Sequence, residues 1–444
     1  MKRISLVWLL LAATLFCCCC TEEEEKTYPE VRIACIGDSI TWGAGLEDRF
    51  SESYPVVLGE LLGEGYEVRG FGFNSRIASL TGDYPYMNEA KYDTVKMWLP
   101  DVVTIMLGTN DSKIHNWDED NYREGLTAMV DDLRKIPSHP KIILLTPPAA
   151  GENPYTIRDS VIRCGVIPQM RKVAKRRWLD VLDLYEPTSE HRELFPDNIH
   201  PGKEGSAFIA SIIREGLEKC AIKPGPRVMF AGDSITDGFW GRKDGAPASQ
   251  RDHYDLNHVY GHGYQAFAAG SLMLENPELN IRCYNRGWSG NRLENIRARW
   301  QEEVMSVRPS LISLLVGVND VSAGSRIIDT AQWEASYREL LDSTLKELPG
   351  VSFVLCTPFV RNASGYYLDG DDSVVEQLAD IVRRIASDYG FACADFAKVI
   401  DSLYESEEAP DRHYWLWDGI HPTYATHIRL AREWMDTVYG KDLL

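Results

Sequence analysis

Short apolar runs alternate with longer amphipathic stretches along most of the chain. Ten of these runs have the length and spacing of strands: 31–37, 66–71, 102–107, 141–146 and 179–184, then 227–232, 280–285, 311–316, 351–356 and 391–396. The runs 102–107 (VVTIML) and 311–316 (LISLLV) are apolar almost without interruption, as a strand covered on both faces must be. Between the runs lie stretches with helical periodicity, such as Tyr122–Arg134 and Leu293–Val307. Five strands separated by helices, twice over, predict two open parallel sheets with helices on both sides. In such sheets functional residues gather beyond the carboxyl ends of the strands.

Those ends carry a repeat. Gly37-Asp38-Ser39-Ile40-Thr41 returns as Gly232-Asp233-Ser234-Ile235-Thr236. Gly108-Thr109-Asn110-Asp111 returns as Gly317-Val318-Asn319-Asp320, and Asp197-Asn198-Ile199-His200-Pro201 as Asp418-Gly419-Ile420-His421-Pro422. The common order implies a duplicated domain. Ala221–Arg227 carries Pro and Gly between the copies, as a linker does. The expected domains are 28–223 and 225–444.

Composition narrows the field. The chain has 444 residues, 44% hydrophobic and 25% charged, which excludes a disordered chain, a fibrous repeat and a polytopic membrane protein. Lys+Arg number 47 against Asp+Glu 66, a net charge of −19. So acidic a chain repels phosphate backbones, which argues against nucleic-acid partners. Residues 1–20 read as an export signal: basic Met1-Lys2-Arg3, apolar Ile4–Phe16, then Cys17–Cys20 and the acidic run Glu22–Glu25. A Cys directly after such an apolar region resembles the lipidation site of a bacterial lipoprotein, and the acidic run resembles the surface-export signal of Bacteroidota lipoproteins. A lipid-anchored surface protein is therefore expected, with periplasmic location or plain secretion as the alternative. The remaining cysteines show no metal spacing, and Cys35, Cys283, Cys356 and Cys393 sit in strand-like runs where buried free thiols are expected.

The chemistry lies in the repeat. A Ser at a strand-to-helix junction exposes its hydroxyl, but Gly-Asp-Ser alone is equally a turn with an N-cap. The hydroxyl needs a positioned base. Asp197 and His200, or Asp418 and His421, supply one: the Asp accepts the Nδ1–H hydrogen bond and leaves Nε2 facing Ser39 or Ser234. An Asx turn is the structural alternative for that spacing. Negative charge developing on a carbonyl oxygen needs donors. The backbone N–H groups of Ser39 and Ser234, Gly72 and Gly287 after the second strands, and the Asn110 and Asn319 amides can provide them. Nucleophile, glycine, asparagine and Asp-x-x-His, in one order and twice, are far more specific together than any is alone.

Both halves resemble the SGNH hydrolases (GDSL-type esterases), whose blocks carry Ser, Gly, Asn and His. The resemblance implies two tandem three-layer α/β/α, flavodoxin-like domains, each on a five-stranded parallel sheet, and metal-free, cofactor-free ester hydrolysis through an acyl-serine. It also implies that Ser39, Gly72, Asn110, Asp197 and His200 form one site and Ser234, Gly287, Asn319, Asp418 and His421 another. The first glycine block departs from the pattern: Arg69-Gly70-Phe71-Gly72 lacks the Asn that precedes the Gly in Asn285-Arg286-Gly287.

The first half, with Tyr54-Pro55 and Leu194–Pro201, resembles bacterial sialate O-acetylesterase-type domains. The second, with Asn285–Asn291, resembles acetylesterases acting on plant polysaccharides. The stretch from Ser234 to Gly287 is longer than its counterpart and rich in rings, among them Trp240, Tyr254, Tyr260, His262 and Tyr264; Trp415 and Trp417 flank Asp418. Trp240, Tyr254, Tyr260, Trp415 and Trp417 are expected to stack on sugar rings, or else to pack under the loop. The expected substrate is an acetylated oligo- or polysaccharide. Two alternatives stay open: a lipase, lysophospholipase or thioesterase of the same family, and one active half beside a carbohydrate-binding pseudo-esterase half.

Overall fold

A computed structural model describes residues 29–238, 261–321, 329–361, 371–406, 409–411 and 413–444. The expected signal and anchor at 1–20, and the ring residues Trp240, Tyr254 and Tyr260, lie outside the described residues.

Two five-stranded sheets form, every pair parallel. The first comprises β1 (Val31–Gly37), β2 (Tyr66–Gly72), β3 (Val102–Met106), β4 (Lys141–Leu145) and β5 (Asp180–Leu182), in the order β2-β1-β3-β4-β5. The second comprises β6 (Arg227–Gly232), β7 (Arg282–Gly287), β8 (Leu311–Leu315), β9 (Ser352–Cys356) and β10 (Ala392–Ala394), ordered β7-β6-β8-β9-β10. The two orders are the same doubly wound topology. Each reverses direction beside its first strand, which places a crevice at the carboxyl ends there.

Period-two alternation explains the layers. Ala34, Ile36, Val103, Ile105, Ile142 and Leu144 enter the core on one face of the first sheet. Ile33, Cys35, Val102, Met106, Ile143 and Leu145 enter the core on the other. β3 and β8 are buried at every position.

Three expectations need correction. Both last strands are shorter than their apolar runs, ending at Leu182 and Ala394, because an Asp turns the chain into the next helix. Asp183 Oδ1 accepts the Tyr185 N–H at 3.0 Å and the Thr146 hydroxyl at 3.0 Å; Asp395 Oδ1 accepts the Lys398 N–H at 3.3 Å and the Thr357 hydroxyl at 3.0 Å. The run at 280–285 begins late, because Asn280 adopts φ +52°, a left-handed conformation no strand contains. The stretch 293–307 splits into a helix, Leu293–Glu303, and a 3₁₀ turn, Met305–Val307. Cys35, Cys283 and Cys356 are buried free thiols as expected, and burial pushes each up to about 12; Cys393 is only half-buried.

The sheets meet near the amino ends of their strands. Asp101, one residue before β3, is buried there and gathers the guanidinium groups of the second half. Its Oδ2 lies 2.9 Å from Arg227 and 3.0 Å from Arg308, and its Oδ1 is 3.6 Å from Arg282. Arg227 also donates to the Glu30 carbonyl at 2.9 Å, and Arg286 to that of Pro137 at 2.9 Å.

Candidate active site

Each cluster is built by strand register. Gly37 pairs with Gly72 and Gly232 with Gly287, so the segments that follow leave the sheet side by side. Ser39 and Ser234 each open a four-residue helix, Ser39–Trp42 and Ser234–Asp237, capped by the preceding Asp: Asp38 accepts the Ile40 N–H at 2.9 Å and Asp233 that of Ile235 at 3.0 Å. Only glycine fits beside these helices. A Cβ on Gly72 would lie 2.2 Å from Trp42 N, and one on Gly287 2.2 Å from Asp237 N.

Folding brings the distant residues together. Ser39 Oγ lies 2.8 Å from His200 Nε2, and His200 Nδ1 lies 2.6 Å from Asp197 Oδ2. In the second half Ser234 Oγ is 2.9 Å from His421 Nε2, and His421 Nδ1 is 2.6 Å from Asp418 Oδ2. The other carboxylate oxygen of each Asp accepts two backbone N–H groups, from Ile199 and His200 or from Ile420 and His421, at 2.6–3.0 Å. Burial pushes both carboxyls up, but the bonds from the imidazole and backbone N–H groups outweigh it and hold both below the ordinary range. Each Asp is thus an anion able to fix a tautomer and stabilise an imidazolium.

Both asparagines also reach the crevice. Asn110 Nδ2 donates to Asp38 Oδ2 at 3.4 Å and to the Arg76 carbonyl at 3.3 Å; Asn319 Nδ2 donates to the Asn291 carbonyl at 3.2 Å. Bonds this long are readily exchanged for a shorter one to an oxyanion. The glycines differ. Gly287 N–H donates to Asn285 Oδ1 at 2.9 Å, while Asn285 Nδ2 donates to the Asp237 carbonyl at 3.1 Å. Gly70 occupies that position in the first half and offers no side chain.

Of the two described ring candidates, only Trp417 faces the second cluster. It is 54% exposed and stacks on His421 with centroids 5.5 Å apart and planes at 20°. Together with Ser234, His262, His421, Tyr424 and His427 it lines a pocket of about 390 Å³. Trp415 instead packs against the core, edge-on to Tyr414, and Tyr264 is fully buried. The sequence reading missed Tyr155, whose hydroxyl donates to Asp197 Oδ2 at 3.2 Å and whose ring meets His200 edge-on. It also missed His427, one turn after Tyr424, which burial holds neutral by lowering it to about 3.

The capping Asp of the second half stores electrostatic cost. Burial pushes Asp233 up to about 7, and among the described residues its Oδ2 has no hydrogen-bond partner. The folded chain therefore holds a proton that the unfolded chain releases near pH 4, so stability falls as pH rises from about 4 to about 7 and is level above. Asp233→Asn keeps the Oδ1 cap and removes the charge. Its melting temperature is expected to match the parent's at pH 4 and exceed it at pH 8, by the equivalent of about 2–4 kcal/mol; a difference independent of pH would contradict this origin.

Sequence comparisons agree with this architecture. The GDSL-like Lipase/Acylhydrolase family matches twice, over residues 35–208 and 230–428. An acetylxylan esterase of Xylanibacter ruminicola is 37% identical over 207 residues, 42% of this chain and 43% of that protein; the chain thus spans under half of that relative. An acetylxylan esterase of Geobacillus stearothermophilus is 30% identical over 230 residues, 48% of this chain and 94% of that protein. A crystal structure of an acetylxylan esterase from Geobacillus stearothermophilus matches with 28% identity and a TM-score of 0.40, covering 48% of this chain and 94% of that one. The two family matches together span most of the sequence, one over each sheet: the chain belongs to the GDSL-like Lipase/Acylhydrolase family.

Proposed function

We propose that this chain is a serine esterase that removes O-acetyl groups from complex carbohydrates, acetylated xylan among them, at two centres. The observation that carries the reading is the Ser–His–Asp geometry present in both halves, together with the likeness to acetylxylan esterases. Ser39 or Ser234 attacks the acetyl carbon while His200 or His421 takes the hydroxyl proton at Nε2. Asp197 or Asp418 stabilises the imidazolium. The serine N–H and the asparagine amide receive the oxyanion, joined at the first centre by the Gly72 N–H and at the second by the Gly287 N–H as it exchanges its bond to Asn285 Oδ1. As the tetrahedral intermediate collapses, the C–O bond to the sugar breaks and the imidazolium protonates the departing alkoxide. Water, deprotonated by the same His, then cleaves the acetyl-serine and releases acetate.

The direct test is acetate release from acetylated xylan, with p-nitrophenyl acetate and octanoate beside it. Acetate esters are expected to be preferred; preference for octanoate would replace this reading with a lipase. Asn110→Ala and Asn319→Ala are each expected to lower kcat at their own centre by about 10²–10³-fold with KM little changed. Measured in chains whose other serine is Ala, an unchanged kcat would remove that Asn from the oxyanion site.

From the basic, apolar and Cys-rich order of residues 1–20 we further propose export and lipid anchoring. Radiolabelled palmitate incorporated by cells expressing the full chain tests it: absence of label in the full chain would leave secretion or a soluble location.

A further inference from the structure

Beside Ser39, aromatic rings and cations alternate. The Arg49 guanidinium lies between two rings, 3.6 Å from the Trp42 centroid and 4.1 Å from that of Phe50. Lys91 Nζ is 4.3 Å from Trp42 and 5.2 Å from Phe73. Arg76 stacks at 3.8 Å on Phe73, and the Trp42 and Phe73 centroids are 6.2 Å apart. The array is fastened to the candidate catalytic residues. Trp42 closes the helix that Ser39 opens, Lys91 donates to the Gly72 carbonyl at 2.9 Å, and the Arg76 carbonyl accepts from Asn110.

Three cations share this patch with too few anions. Glu89 pairs with Arg76 at 2.6 Å. Two carboxylates close to Arg49 in sequence are engaged elsewhere: Glu52 with Lys203 at 3.2 Å, and Asp48 with the Ser51 hydroxyl and the Phe50 N–H. Among the described residues neither Arg49 nor Lys91 has a carboxylate partner, and the Arg49 guanidinium makes no hydrogen bond. Burial, then the charges of Arg49 and Arg76, hold the Lys91 ammonium below its ordinary range. In a chain of net charge −19, this patch is an exception. Its leading guanidinium is clamped by two rings with its donor edge unused, a fork preorganised for a carboxylate. The second half differs at the matching positions: Asp237 stands where Trp42 does, and Asn291 where Arg76 does.

We propose that this array is a subsite for a sugar carboxylate, so that the centre at Ser39 deacetylates acidic glycans while the centre at Ser234 takes neutral ones. The proposal rests on the esterase reading above and names the substrate class of its first centre.

The test uses the full chain carrying Ser234→Ala, so that only the first centre turns over. Its substrates are acetylated galacturonan oligosaccharides, O-acetylated sialic acid, neutral acetylated xylo-oligosaccharides and p-nitrophenyl acetate; the two acidic arms separate a uronate from a nonulosonate. At low salt, kcat/KM for at least one acidic substrate is expected to exceed the neutral glycan's by about 10-fold or more. Added salt at about 0.5 M narrows that gap by screening. Arg49→Gln removes about 10-fold through KM on the acidic substrate and leaves the neutral glycan and aryl acetate unchanged. Equal kcat/KM for acidic and neutral glycans, insensitive to Arg49→Gln, would overturn the subsite. If even the aryl acetate were untouched, the esterase reading of this centre would fall instead. Calorimetric binding of non-acetylated galacturonan oligosaccharides and free sialic acid, with and without Arg49→Gln, then decides the subsite alone: loss of binding in the variant supports it, and unchanged or absent binding of both overturns it.

Discussion

The double substitution Ser39→Ala with Ser234→Ala is expected to lower acetate release from every substrate by about 10⁴–10⁶-fold, the scale of removing a nucleophile whose partners act as a unit. Each single variant is expected to retain the activity of the other centre, so the two singles divide the parent's rates between them. The loss is chemical, because each change deletes one oxygen and leaves the helix cap on Asp38 or Asp233 intact. Melting temperatures within a few degrees of the parent would establish that. A single variant identical to the parent on every substrate would identify that half as a scaffold or binding domain, and a double variant that still turned over would remove both serines from the mechanism.

Much of this was legible before folding. Alternation and apolar runs placed all ten strands, most plainly β3 and β8, because a strand buried on both faces admits little else. The Asp-x-x-His spacing was legible because one turn of loop suffices to bring Asp197 to His200, whatever the rest of the chain does. Strand ends were harder to read. Asp183 and Asp395 look like ordinary polar residues, and the threonines that make them caps, Thr146 and Thr357, sit on neighbouring strands far away in sequence. Trp415 and Trp417 could not be separated either, since the segment around them has no regular period to assign a face. Tyr155, and the rings that hold Arg49 and Lys91, depend on segments whose meeting no local pattern encodes.

The junction between the halves was hidden for the same reason, and it yields the second large effect. Asp101 and Arg227 have side chains 2% and 3% exposed, and Arg308 is held down to about 10 by burial and by Arg227 beside it. Asp101→Ala leaves these cations buried without an anion, which costs about 3–5 kcal/mol. A fall in melting temperature of about 10 °C is expected for halves of about 200 residues that unfold separately, together with separation of one calorimetric transition into two. Because Asp101 also accepts the Arg32 N–H within its own half at 2.8 Å, Arg308→Met provides the second measurement. Removing a surplus cation while Arg227 still pairs with Asp101 is expected to shift the melting temperature by no more than about 3 °C. An Asp101→Ala chain as stable as the parent would show that the ion cluster does not join the halves.

The junction lies at the amino ends of the strands, and both serines lie beyond the carboxyl ends. The clusters therefore stand at the far ends of the two sheets from the point where the sheets meet. On the reading proposed above, a short oligosaccharide released at one cluster must cross that separation to reach the other. A long, flexible polysaccharide is different: two separate stretches of one strand, or two neighbouring strands, can be held at once. Engagement at one end then raises the local concentration of glycan at the other, and the chain would cling to insoluble, densely acetylated material while losing that advantage on soluble fragments.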